Sequence, residues 1–405
     1  MIHLKSVLII LLTVVIICQA QNKEANDQIN IIEGQIIPKR IIIPEDLQSG
    51  FDFAWSPDSQ RIVFQAGKKL DNNDFSSVIV IVEVESEKVE VLSEPNIKHS
   101  NPTCSPDGKT IAYIGPMDED STIWLMDIDG KNKRPLVDVK CWSQPIWSPD
   151  SNRILFREGN SGIWIVNADG TGLKKLASGP GTQSRPKWSP DNNRIAFVNT
   201  NEIWLMDTNG NNKRVLTELV SKQGYSPIAT VDDFLFDWSP DSNKIVYAYR
   251  PIPSDGYHIT YDGGIHPYQI WMINIDGTNK HCLTLDFLSS GLPVCMPDGR
   301  YILFTSNYKW VVTASPSFPP VSYPKQNIWM LDLTEMKCKQ LTNTNKVYRY
   351  ALSPDGKRIV FSSGQVDSIL VLDDFLDSTT PNREFNSFDE SIQLKQKVLL
   401  KSNNE

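Results

Sequence analysis

Seven aspartates follow a proline: Asp58, Asp107, Asp150, Asp191, Asp241, Asp298 and Asp355, six in Ser-Pro-Asp and one in Met296-Pro297-Asp298. Carboxylates can ligate metals or move protons. These stand roughly 40–60 residues apart, the interval of a structural repeat. One copy per repeat on a ring lies too far from the next to share a site. Each is expected to hold its own turn by side-chain to backbone hydrogen bonds. Asp127-Ile128-Asp129-Gly130 has the outline of a calcium loop. It lacks a third ligand before the glycine and a glutamate six residues after it, so it reads as a hairpin turn. Gly159-Asn160-Ser161-Gly162 has the wrong spacing for a nucleophile elbow. No catalytic residue, metal site or cofactor is expected from these motifs. The residues left over are Trp142, Tyr257, His258, Tyr261, Asp262, His266, Tyr268, Tyr308 and Trp310, which break the repeat and are the candidates for binding a ligand.

The repeat that positions them has two halves. In Trp147-Ser148-Pro149-Asp150-Ser151-Asn152-Arg153-Ile154-Leu155-Phe156, proline presets a turn and an apolar β-forming run follows. In Ile163-Trp164-Ile165-Val166-Asn167-Ala168-Asp169-Gly170, a second β run ends in a hairpin signal. Each repeat therefore predicts four antiparallel strands, A to D. Four-stranded sheets repeated radially make a propeller. Helical repeats are excluded, because no stretch keeps i, i+3, i+4 spacing and Gly, Pro and Asn punctuate every 8–12 residues or so.

The predicted fold is all-β: a seven-bladed β-propeller of four-stranded antiparallel blades. The seventh repeat lacks a D strand. Lys39-Arg40-Ile41-Ile42-Ile43 resembles the D strands Lys133-Arg134-Pro135-Leu136-Val137 and Lys213-Arg214-Val215-Leu216-Thr217. The N-terminal strand is expected to close the last blade.

Antiparallel order puts A–B and C–D turns at one end of each blade, and B–C and D–A connections at the other. Three stretches lengthen the repeat: 218–235 between blades 4 and 5, 249–268 within blade 5, and 306–326 within blade 6. All project from the B–C face of adjacent blades, and Trp142 and His99 fall on it too. The insertions also carry Phe318 and Tyr323. Long loops on a rigid scaffold are where binding usually resides, and Tyr and Trp bring contact area at small entropic cost. The Ile-Trp tryptophans Trp124, Trp164, Trp204, Trp271 and Trp329 are expected to pack between blades.

Residues 1–20 read as a secretory signal: Lys5, an apolar run from Val7 to Ile17, then Cys18-Gln19-Ala20 with cleavage after Ala20. The run is shorter than the ~20 residues of a membrane span, so no transmembrane segment is expected in the mature chain. A bulky Ile17 argues against a lipoprotein signal at Cys18. Residues 21–38 read as a linker, 39–373 as the propeller and 374–405 as a polar tail. The mature chain would be periplasmic or secreted and monomeric, with Cys104, Cys141, Cys282, Cys295 and Cys338. Five cysteines cannot all pair internally. Cys104 and Cys295 stand where other repeats have Trp55, Trp147, Trp188 and Trp238, and are expected to pack as apolar groups. Net charge is −8, with no basic run suited to nucleic acid.

The W-S-P-D … I-x-F … I-W-x-M-D-x-D-G … L-T pattern resembles the WD40-like (PD40) repeats of TolB-type propellers, over roughly residues 39–373. The resemblance implies an envelope protein with a protein partner, since TolB proper binds Pal. TolB proper has an α/β domain before a six-bladed propeller, whereas seven blades without such a domain are expected here. Similar propellers also cap prolyl-oligopeptidase-type hydrolases, but no hydrolase segment is present. Some TolB-like seven-bladed propellers are metal-dependent oligogalacturonate lyases, and here His99, His258 and His266 fall on one face, where a three-histidine metal site is chemically possible. The expected function is non-enzymatic binding of an envelope or extracellular protein, or a glycan, through the aromatic loops. The lyase is the alternative.

Overall fold

A computed structural model describes the chain from residue 38 to 376, apart from residues 51, 71–74, 96, 117–120, 142, 159–161, 180–182, 220–235, 250–267, 285–289, 307–325, 345–346, 348 and 363–367. Twenty-nine strands form seven antiparallel sheets, and no helix occurs among the described residues. Blade 3 shows the pattern. Strands A (Ile146–Trp147), B (Arg153–Arg157), C (Ile163–Asn167) and D (Lys174–Ala177) pair in sequence order. In strand B, Ile154 and Phe156 pack toward blade 2, while Leu155 packs toward blade 4. Side chains alternate across a strand. A sheet held between two others must therefore be apolar on both faces, which explains the unbroken Ile-Leu-Phe runs.

Strand A of one blade contacts strand A of the next at several seams, so the A strands line the axis of the ring. Blade 7 consists of Tyr350–Leu352, Arg358–Phe361 and Ser368–Asp373, with Lys39–Ile42 as its fourth strand. Lys39 pairs with Val371 and Ile42 with Ser368. Ile41 and Ile43 are buried, whereas Ile42 between them is 68% exposed. The N-terminal strand closes the ring, as the sequence predicted.

All seven proline-linked aspartates act as turn locks. Each Oδ1 accepts the backbone N–H two residues on, at 2.9–3.2 Å. In the six Ser-Pro-Asp turns the serine hydroxyl donates to the same oxygen and accepts a backbone N–H five residues on, as in Ser148 with Asp150 and Arg153. The residue after the aspartate always has positive φ: Ser59, Ser151, Asn192 and Ser242 at 58–62°, Gly108, Gly299 and Gly356 at 68–73°. That requirement explains why only Ser, Asn or Gly stands there.

These turns have a consequence in acid. Partial burial opposes ionisation of Asp150, but bonds from Ser148, Asn152 and Asn192 outweigh it and hold its pKa at about 2. Partial burial is likewise outweighed at Asp58, Asp191 and Asp355, which are also lowered. The serine bond is the largest influence at Asp107 and Asp241, lowered too. A depressed folded pKa means stability that is complete above the unfolded value near 3.9 and lost as pH falls toward the folded one. The urea midpoint is expected to drop between pH 4 and 2, less steeply in Asp150→Asn. A flat midpoint from pH 4 to 2 contradicts this role.

The seams between blades come in two kinds. At four of them, the tryptophan before Ser-Pro-Asp donates its indole N–H to a strand A carbonyl of the preceding blade. Trp55 reaches Ala351, Trp147 reaches Thr103, Trp188 reaches Ile146 and Trp238 reaches Lys187, at 3.0–3.3 Å. The residue after the aspartate adds a second bond to the preceding turn. Ser59, Ser151 and Ser242 accept the backbone N–H of Asp355, Asp107 and Asp191, and Asn192 donates to Asp150. Blades 2, 6 and 7 lack both groups: they carry Cys104 with Gly108, Cys295 with Gly299, and Leu352 with Gly356.

Candidate functional site

The two ends of the ring differ because their connections differ. One end holds the locked turns just described. The other holds the long connections 219–235, 250–268 and 307–326 on blades 4 to 6. It also holds one feature that the sequence did not reveal. In blade 1, strands B and C pair over nine residues, Arg61–Lys69 with Phe75–Glu83, against six for Arg194–Asn199 with Glu202–Asp207 in blade 4. The blade 1 hairpin therefore extends farther at this end, and its Phe75 is 47% exposed. The variable stretch between the two halves of the repeat concealed it.

Tyr268 is the one proposed ligand-binding residue among those described. It packs, half-buried, against the apolar cluster that joins blades 4, 5 and 6. Trp142, Tyr257, His258, Tyr261, Asp262, His266, Tyr308 and Trp310 lie outside the described residues, as do Phe318 and Tyr323. The base of the blade 5 insertion is an aromatic platform. Tyr249, where the insertion leaves, stands edge-on to Trp271 at 5.1 Å. The Lys280 ammonium lies 4.9 Å from the Tyr249 ring and 5.7 Å from the Trp271 ring. Burial lowers the Lys280 pKa, opposed by Glu218 at the end of blade 4. Trp271 N–H donates to Gln269. A lysine held over two rings by cation–π attraction fixes both ends of the insertion on a rigid support.

Along the axis, Lys187 and Asp237 pair at 3.0 Å between blades 4 and 5. The second Asp237 oxygen accepts the backbone N–H of Cys295, tying in blade 6. Arg349 pairs with Asp52 across the closing seam. The signal for the Lys187–Asp237 pair was present in the sequence, because this register carries Ala54, Ile146 and Val294 in other blades.

His99 lies on the connection from blade 1 to blade 2, as expected, but it is 5% exposed and packs into the seam. Its ring meets Tyr113 edge-on at 5.4 Å. A Cβ on Gly115 would come within 2.4 Å of its Cδ2. His99 belongs to blades 1 and 2, whereas the segment bearing His258 and His266 belongs to blade 5. Among the described residues no three His, Cys, Asp or Glu side chains form a metal-binding group. Cys104 and Cys141 pack into seams with thiols raised by burial to about 12 and about 11.

Comparison with known proteins places this geometry. The chain matches the TolB beta propeller domain (PD40) over residues 42–252. It is 28% identical over 123 residues to the uncharacterized peptidase YuxL of Bacillus subtilis, covering 29% of this chain and 19% of that protein. It is 34% identical over 93 residues to the Tol-Pal system protein TolB of Anaeromyxobacter dehalogenans, covering 22% and 21%. The chain thus spans about a fifth of the length of these relatives. Among solved structures, an oligogalacturonate lyase in complex with manganese aligns with TM-score 0.56 over 84% of this chain and 96% of its own, at 11% identity, a likeness of fold alone. A family model matched over half of the chain, with its repeats built into seven antiparallel blades, means that the chain belongs to the TolB beta propeller family.

Proposed function

We propose that this propeller is a non-catalytic binding protein that works outside the cytoplasm and grips a protein or envelope component through the loop face of blades 4 to 6. The observation that carries the reading is the asymmetry of the ring: uniform locked turns at one end, and the long connections 219–235, 250–268 and 307–326 on three adjacent blades at the other. Their aromatic residues are the anchors: Tyr257, Tyr261, Tyr268, Tyr308 and Trp310, with Trp142 beside them and His258, Asp262 and His266 as polar partners. The Tyr249–Trp271–Lys280 platform supports the blade 5 loop from below. The likeness to a Tol-Pal system protein favours a protein ligand, and residues 1–20 supply the export signal. No helix among the described residues is long and apolar enough to cross a membrane.

The test is affinity capture from a solubilised envelope fraction, comparing the mature protein with the variant Tyr257→Ala, Tyr261→Ala, Trp310→Ala. Buried aromatic anchors are each worth about 2 kcal/mol or more, so the variant is expected to bind a discrete partner more than about tenfold more weakly. Equal recovery by both proteins, or no partner for either, rejects the loop face.

A further inference from the structure

One of the seams without these bonds lies between blades 1 and 2, away from the chain ends. It lacks the indole bond, because Cys104 replaces tryptophan, and the turn-to-turn bond, because Gly108 replaces serine. Among the described residues its buried apolar cluster is the smallest of the six, seven residues against nine between blades 3 and 4. The closing seam, by contrast, has Trp55 on Ala351, Ser59 on Asp355, and Arg358 bonded to the Ser59 carbonyl and to Glu85. The rim of the seam between blades 1 and 2 is bridged by Lys133 and Glu94 at 3.1 Å, an exposed pair of small worth.

A buried imidazole completes this seam. The His99 backbone belongs to blade 1, its N–H donating to Ser77 O and its carbonyl accepting from Ser77 Oγ. Its ring belongs to blade 2, against Tyr113 and Gly115. Nδ1 is shielded from water and makes no hydrogen bond. Corresponding connection residues elsewhere are apolar: Leu219, Val347 and Ile43, all buried. A neutral ring fits such a site, whereas an imidazolium needs acceptors for both N–H groups.

We propose that the seam between blades 1 and 2 is an acid-sensitive opening of the ring, with His99 as its trigger. Burial, the largest influence, lowers the His99 pKa below 6.5. Glu94 and the Ile97 backbone on its own connection act the other way, and Lys133 of blade 2 adds to the lowering. Tyr113 faces the ring as a neutral phenol, its own pKa raised. The sign follows. The open state takes its proton near pH 6.5 and the closed state only at lower pH, so closure is intact above 6.5 and weakens as pH falls below it.

The experiment uses the free mature protein and does not depend on the binding reading. The Cys104 thiol is influenced by Arg61 and Asp58 of blade 1 across the seam, so its reaction reports opening. Cys141 packs in the bonded seam between blades 2 and 3 and serves as reference. Both are labelled with a pyridyl disulfide and quantified by peptide mass spectrometry. The ratio of the two rates cancels the ordinary pH dependence of thiols.

Between pH 7.5 and 5.5 the Cys104-to-Cys141 ratio is expected to rise about tenfold, the gain set by protonating an exposed imidazole of pKa near 6.5. His99→Leu should make it flat. Gly108→Ser should lower it at every pH by restoring the turn-to-turn bond. The site admits that change: a Cβ there would lie 3.7 Å from Pro57 in the neighbouring turn, and serine holds the same positive φ at Ser59, Ser151 and Ser242. A ratio unchanged by pH, or unchanged by Gly108→Ser, overturns the proposal. The serine variant keeps the test decisive if His99→Leu does not fold.

Discussion

Deleting residues 39–43 is expected to lower the melting temperature by about 10 °C or more. Ile41 and Ile43 are 0% and 2% exposed, and burying an isoleucine contributes about 1.5–3 kcal/mol. The deletion also strips Ser368–Asp373 of its outer partner, leaving the backbone edge bonded at present to Lys39–Ile42 without pairing. A loss of about 5 kcal/mol is a large part of the 5–15 kcal/mol that holds a typical protein folded. At roughly 2–4 °C per kcal/mol it gives the stated shift. Differential scanning calorimetry of the parent and the deletion checks it. An unchanged melt would mean that the strand pairing contributes nothing to the ring.

Trp188→Ala is expected to cost about 3–5 kcal/mol, and Trp188→Phe about 1–2 kcal/mol. The indole is 7% exposed, bonds Ile146 O at 3.3 Å, and carries the Arg153 guanidinium 4.6 Å from its ring centre. Phenylalanine keeps much of the apolar contact and loses the bond to blade 3. Alanine loses both and leaves a cavity at the seam. Urea unfolding of the three proteins separates the contributions: equal losses for both variants would place the whole effect in the hydrogen bond. A loss below about 1 kcal/mol for alanine would remove the tryptophan from the account of how blades adhere.

The proline-linked aspartates show how far local chemistry reaches. Pro190-Asp191 and a following residue able to hold positive φ specify a turn within a few residues, and Asp191 accepting the Asn193 N–H completes it there. Nothing distant is needed, so the motif is legible by eye. The D strand of blade 7 was legible by a different logic. Lys39–Ile42 matched strands elsewhere in the chain, and the one incomplete repeat needed it. The loop face was legible as topology, since antiparallel order decides which connections share an end.

Other features were not local. The sequence places His99 on the loop face, as a possible metal donor, because its connection lies there. Its burial depends on Gly115, a residue without a side chain in another blade. The Lys280–Tyr249–Trp271 platform joins residues on two strands with one from the turn before a third, and no spacing in the sequence marks a lysine that lies over two rings. The two kinds of seam were written in the sequence as Trp with Ser or Asn against Cys or Leu with Gly. Their meaning appears only when each indole is seen to reach the blade before its own.

The sequence alone determined the repeat, its strands and turns, the number of blades, the closing strand and the face that carries the insertions. These follow from short-range backbone preferences and from a period that copies them around a ring. The tertiary structure decided which seams are bonded, where His99 sits, and which charges meet along the axis. Those depend on contacts between residues well separated in sequence, 16 positions for His99 and Gly115 and 42 or more for the indole bonds, whose partners only the folded ring brings together.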